Sequence, residues 1–137
     1  FDKLKRVLRM GKTSVADNLP TAMPALAYAA AIQQRAERAG VPWREGNSPK
    51  ILSDTARDSI AAAAKNEPEE QAAGLLLFQL VAELRDLGID PETALRSTAL
   101  RFRERVRHME DAAGKSALSG LAEARRERLW KEARGSG

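Results

Sequence analysis

The sequence predicts an all-α protein. Apolar residues make up 43% of the chain but aromatic residues only 4%. Much of the apolar share is alanine, the best helix former, whereas strands favour branched and aromatic side chains. Segments of helical periodicity recur, with proline near their starts and glycine past their ends. No strand pattern competes with them. At 137 residues the length suits one domain.

Residues 1–10 place Leu4, Val7 and Leu8 on one helical face before Gly11. They read as the tail of an upstream helix. Residues 11–20 (GKTSVADNLP) are rich in turn formers and read as a linker. The expected organisation is therefore a tail and linker over residues 1–18 and a single helical domain over 19–137. The start at Phe1 rather than methionine suggests a piece of a longer polypeptide.

The first substantial helix is expected over about Met23 to Ala39, with Leu26, Ala30, Gln33 and Glu37 at helical spacing and Gly40 as its stop. A second should run from about Pro49 to Lys65. Ile51, Leu52, Ile60 and alanines 61–64 can pack there, while Ser53, Asp54, Arg57 and Asp58 are polar. Asn66 is the expected N-cap of a third helix, with Glu67, Glu69 and Glu70 in its first turn. That helix ends near Leu87-Gly88. Asp90 and Pro91 then supply the next start, for a helix from Pro91 to Ala113 closed by Gly114. A last helix is expected over about Ser116 to Arg134, with Leu118, Leu121, Arg125 and Leu129 on one stripe and Trp130 beside it.

The third helix organises the chain. From Ala72 to Ala82 its apolar run is broken only by Gln79, so it should be buried nearly all round. A small domain rarely encloses a helix on every side. Burial by a partner chain is the simplest explanation, so the core of this bundle of about five helices is expected to be completed by dimerisation.

Several classes of chemistry are excluded or disfavoured. Without cysteine there is no disulfide, thiolate metal site or cysteine nucleophile. A serine triad would need His108, the only histidine, which stands among Arg105, Arg107 and Glu110. Gly11-Lys12-Thr13 copies the end of a phosphate-binding loop without its leading glycine or strand. No apolar segment approaches the roughly 18 residues that span a bilayer, and the expected compartment is the cytoplasm. The net charge of +4 arises in residues 101–134, which hold 10 Lys+Arg against 6 Asp+Glu. Such a face fits phosphate binding or a solvated, ion-paired helix surface. Nucleic acid is disfavoured because no aromatic platform accompanies the charge.

The stretch GLLLFQLVAELRDLGIDPETALRSTALRFRERVRHME resembles the MazG family of nucleoside triphosphate pyrophosphohydrolases, which reads GDLLFALVNLAR-xLGIDPEEALRxxNxKFxRRFxxxE there. LPTAMPALAYAAAIQQRAERAGVPW is similar to the family's LPALxxAxKLQxRAAxVGFDW, and ERLWKEAR to EALWxEAK. The resemblance covers nearly the whole chain and is nearest to the second, C-terminal MazG domain of full-length members. It implies an all-α bundle made by two subunits, in which four carboxylates bind Mg²⁺ and water releases pyrophosphate from a nucleoside triphosphate. Some members carry an upstream tetrapyrrole methylase-like domain.

The metal-binding positions depart from that pattern. The family's EExxE falls on Ser53-Asp54-Thr55-Ala56-Arg57, leaving one acid of three. Its ExxD falls on Ala72-Ala73-Gly74-Leu75, with both acids gone, and its later asparagine on Ala82. Asp54 alone cannot assemble the usual Mg²⁺ site, so the metal is expected to bind weakly or not at all. Asp58 with Asp54, or Glu67 with Glu70, would be a displaced acidic cluster. The phosphate side matches better: the Lys and second Arg of KFxRRF fall on Arg101 and Arg105, one turn apart, and arginine grips phosphate bidentately. Trp130 and Trp43 match family tryptophans and suggest base stacking or core packing. The leading expectation is a degenerate MazG-type domain acting as a dimerisation or nucleotide-binding module. Active hydrolysis of nucleoside triphosphates is the alternative.

Overall fold

The computed structural model describes residues 13–20, 22–44 and 50–136. Residues 1–10, read as an upstream helix tail, lie outside them. Five α-helices occur among the described residues, without a strand: α1 (Ala25–Arg38), α2 (Lys50–Ala63), α3 (Glu69–Asp86), α4 (Pro91–Ala113) and α5 (Glu123–Glu132). The chain divides into two compact units, one of residues 1–43 with 92–137 and one of residues 44–91.

The first unit is built on α1, α4 and α5. In α1 the buried stripe is Ala25, Tyr28, Ile32 and Ala36, one residue round from the stripe read in the sequence, and Leu26 stays 60% exposed. Tyr28 and Ile32, an i,i+4 pair, are the large buried side chains of this stripe. In α4 the stripe is Ala99, Val106, Met109, Glu110 and Ala113. One core cluster joins Ala36, Val106 and Met109 to Leu118, Leu129 and Trp130. A second gathers Tyr28, Ile32, Ala99 and Ala16. Phe102 packs against both, edge-on to Trp43 at 5.6 Å and to Trp130 at 5.7 Å.

Residues 13–18, within the stretch read as a linker, are packed into this unit. The Ser14 hydroxyl and Val15 N–H donate to the buried Glu110 carboxylate at 2.9 and 3.1 Å. Arg35 donates to the Val15 and Asp17 carbonyls. The Glu110 carboxylate that anchors this stretch is 95 residues away from Val15 in sequence.

Helix ends follow the expected chemistry in part. α1 closes in a Schellman turn: Gly40 has φ +80°, its N–H reaches Glu37 O, and Val41 N–H reaches Ala36 O at 2.9 Å. Gly88 (φ +75°) closes α3 in the same way. Asn66 does not cap α3. Pro68 holds that position with an extended ψ of 148° and no side-chain cap bond, and its carbonyl accepts from Ala72 N–H. The last helix is shorter than expected. A 3₁₀ turn over Leu118–Gly120 and extended backbone at Leu121 and Ala122 precede α5. Arg126 donates to the Leu118 and Leu121 carbonyls, satisfying groups that a continuous helix would have paired internally.

The second unit is a hairpin of α2 and α3. Within it α3 has one helical neighbour, which leaves most of its apolar run uncovered inside the unit. Ala72 is the buried residue of α3, while Leu75, Leu77, Phe78, Leu80 and Val81 are 40–75% exposed.

Candidate functional site

In the hairpin unit, the inner sides of α2 and α3 form a groove of ≈ 620 Å³. Thr55, Ala56 and Ser59 line it from α2; Leu76, Gln79, Leu80, Ala82 and Glu83 line it from α3. Thr55 with Ser59, and Gln79 with Glu83, are i,i+4 pairs, so each helix offers two polar side chains one turn apart. Leu76 and Leu80 supply the apolar surface between them.

Of the residues picked from sequence, Ser53, Asp54, Arg57, Asp58 and Glu70 are exposed and Glu67 is half-buried. None of these lines the groove; Ala82 does. Ala72 is buried and Leu75 is 44% exposed. Thr55, Ala56 and Ser59, which line the groove, repeat the first–second–fifth spacing of EExxE two residues further along. Neither register provides the three acids. Among the described residues no group of three or more His, Cys, Asp or Glu side chains is placed to hold a metal ion. Mg²⁺ requires near-octahedral oxygen ligands that include carboxylates. Two hydroxyls, one amide and the single carboxylate of Glu83 do not fit it.

The arginine face belongs to the other unit. Arg101 is exposed and donates to the Thr98 hydroxyl at 3.2 Å. Arg105, one turn on, is engaged elsewhere. Its Nε and Nη2 donate to the Trp130 carbonyl at 3.2 and 2.7 Å, and its Cζ stands 3.6 Å from the Trp130 ring centroid. Burial, and after it the charge of Arg134, lower the pKa of the Arg105 guanidinium. Trp130 is only 3% exposed and forms part of the core, with Arg105 on its face. Trp43 is half-buried against Phe102, and His108 is half-buried on α4.

Sequence reasoning missed two functional-looking groups. Glu110 sits in the apolar stripe of α4 and is 2% exposed; a carboxylate at that register was the available signal. The groove-lining set Thr55, Ser59, Gln79 and Glu83 had no motif to mark it.

Comparison with known proteins supports the helical reading. No family profile and no solved structure matches the chain. Among curated proteins it is 36% identical to the nucleoside triphosphate pyrophosphohydrolase/pyrophosphatase MazG of Thermotoga maritima, over 90% of this chain and 49% of that protein. It is 30% identical to the nucleoside triphosphate pyrophosphohydrolase of Escherichia coli K12, over 87% of this chain and 48% of that protein. An uncharacterised 26.1 kDa protein of Streptomyces cacaoi is 31% identical over 72% of the chain. The chain thus spans about half the length of the MazG relatives it matches. No described helix is long and apolar enough to cross a membrane. On its ordered sequence similarity and its all-helical fold, this chain is a homologue of the MazG family of nucleoside triphosphate pyrophosphohydrolases.

Proposed function

We propose that the chain is a MazG-type domain that no longer carries out metal-dependent pyrophosphate release and serves as a dimerising, nucleotide-binding module. The observation that carries this reading is the donor set on α2 and α3. The family's ExxD positions are Ala72 and Leu75, and the groove beside them has one carboxylate. Displacement at phosphorus needs a metal ion to neutralise the phosphate oxygens and activate water, and this donor set does not fit one.

Nucleotide recognition rests on Arg101. Its guanidinium is exposed with one bond to Thr98, whereas Arg105 is occupied by Trp130. Dimerisation is supported by α3. Its exposed Leu75, Leu77, Phe78 and Val81 present apolar surface on the order of 400 Å². A standard interface buries about 800 Å² per partner around such an apolar centre, and a second copy of this helix supplies a matching face.

The test is pyrophosphate release from a panel of nucleoside triphosphates with Mg²⁺ or Mn²⁺. The expected outcome is no turnover above a protein-free control. Turnover that Asp54→Ala abolishes would favour the active hydrolase and sink this reading.

A further inference from the structure

The groove between α2 and α3 has a charge character opposite to that expected for phosphate binding. Its ≈ 620 Å³ are open to solvent along exposed side chains of both helices, and its walls combine apolar surface with a few polar groups, as small-molecule sites do. Among the described residues lining it, Glu83 is the only acidic one, and no lysine or arginine is present. No hydrogen bond or ion pair among the described residues engages the side chains of Thr55, Ser59, Gln79 or Glu83. The hairpin unit as a whole holds nine Asp+Glu against five Lys+Arg over residues 44–91, while the rest of the chain holds ten against eighteen. The field at the groove therefore favours cations and disfavours phosphates.

We propose that this groove binds a small organic cation with an apolar body, of the alkylammonium class. The alkyl chain lies on Leu76 and Leu80, the ammonium pairs with the Glu83 carboxylate, and its two remaining N–H groups are accepted by the Gln79 amide oxygen and by one hydroxyl of the Thr55 and Ser59 pair. An ammonium has three donors and no acceptor, which suits a wall of oxygen acceptors. The site requires neither metal nor nucleotide, so it stands independently of the function proposed above.

The experiment is a titration of the isotopically labelled whole chain, followed by backbone amide resonances, with pentylammonium, pentanol and pentanoate as probes of equal length. Pentylammonium is expected to shift Thr55, Ala56, Ser59, Gln79 and Glu83 and to bind about five times more tightly than pentanol, the gain expected of one partly exposed charge pair. Pentanoate is expected to bind more weakly than either. Glu83→Gln should bring pentylammonium to the level of pentanol, and Ala56→Leu, which fills the groove, should weaken both. Equal affinity for ammonium and alcohol, a preference for pentanoate, absence of groove shifts, or shifts confined to Leu77, Phe78 and Val81 would overturn the proposal.

Discussion

The Arg105 guanidinium lies 3.6 Å from the centroid of the Trp130 ring and donates two hydrogen bonds to the Trp130 backbone carbonyl. One side chain of α4 therefore fastens both the ring and the backbone of α5. Its planar fork is suited to this double role, which a lysine ammonium cannot reproduce.

Arg105→Ala is expected to lower unfolding stability by about 1–3 kcal/mol, from the lost stacking and the charged hydrogen bonds. Arg105→Lys should recover less than half of that loss. Urea denaturation measures both, and an unchanged midpoint for Arg105→Ala would refute the clamp.

Glu110 accepts from the Ser14 hydroxyl and the Val15 N–H inside the core. Glu110→Ala leaves the buried Ser14 hydroxyl and the half-buried Val15 N–H without that acceptor, at a cost of about 2–4 kcal/mol. Hydrogen exchange at the Val15 amide should accelerate by more than the global loss of stability explains. Exchange that merely tracks global unfolding would show that Glu110 does not hold the 13–18 segment.

Glu92, at the start of α4, caps a different helix: its carboxylate accepts from the Ala25 N–H at 2.7 Å and from Arg96 at 3.0 Å. Arg96 in turn donates to the Met23 carbonyl. Glu92→Ala should cost about 1 kcal/mol, the usual worth of an N-cap, and Glu92→Gln, which keeps an acceptor, should cost less. Thermal melts followed by circular dichroism compare the two. Equal losses would mean that charge rather than the acceptor matters.

Phe78 is 75% exposed on α3, so Phe78→Glu should leave the monomer fold intact. Light scattering at micromolar concentration is expected to give a dimer for the unmodified chain and a monomer for the variant. A monomeric mass for the unmodified chain would remove the dimer.

The sequence and the structure agree where the information is local. Helix α4 begins at Pro91 and ends at Ala113 as read from its proline start and Gly114 stop, and Gly40 and Gly88 end their helices with positive φ. Asn66 failed as a cap because Pro68 made the turn itself. The α1 stripe was misread because Tyr28 was given no weight against Leu26. The groove was only half legible. The residues standing at the motif positions, Ala72 and Leu75 among them, could be read directly, but the α2 residues that line the groove could not, since two registers two residues apart are equally helical.

The chain's residues alone determined that it is all-α and where most of its helices lie. Helical periodicity repeats every 3.6 residues, and the proline and glycine that bound each helix act within a few residues of it. Tertiary structure decided which distant groups became partners. Ala25 with Glu92, Ser14 with Glu110, and Arg105 with Trp130 are separated by 67, 96 and 25 residues. No local pattern spans such distances, so these pairs arise only when packing of the apolar stripes brings their helices together.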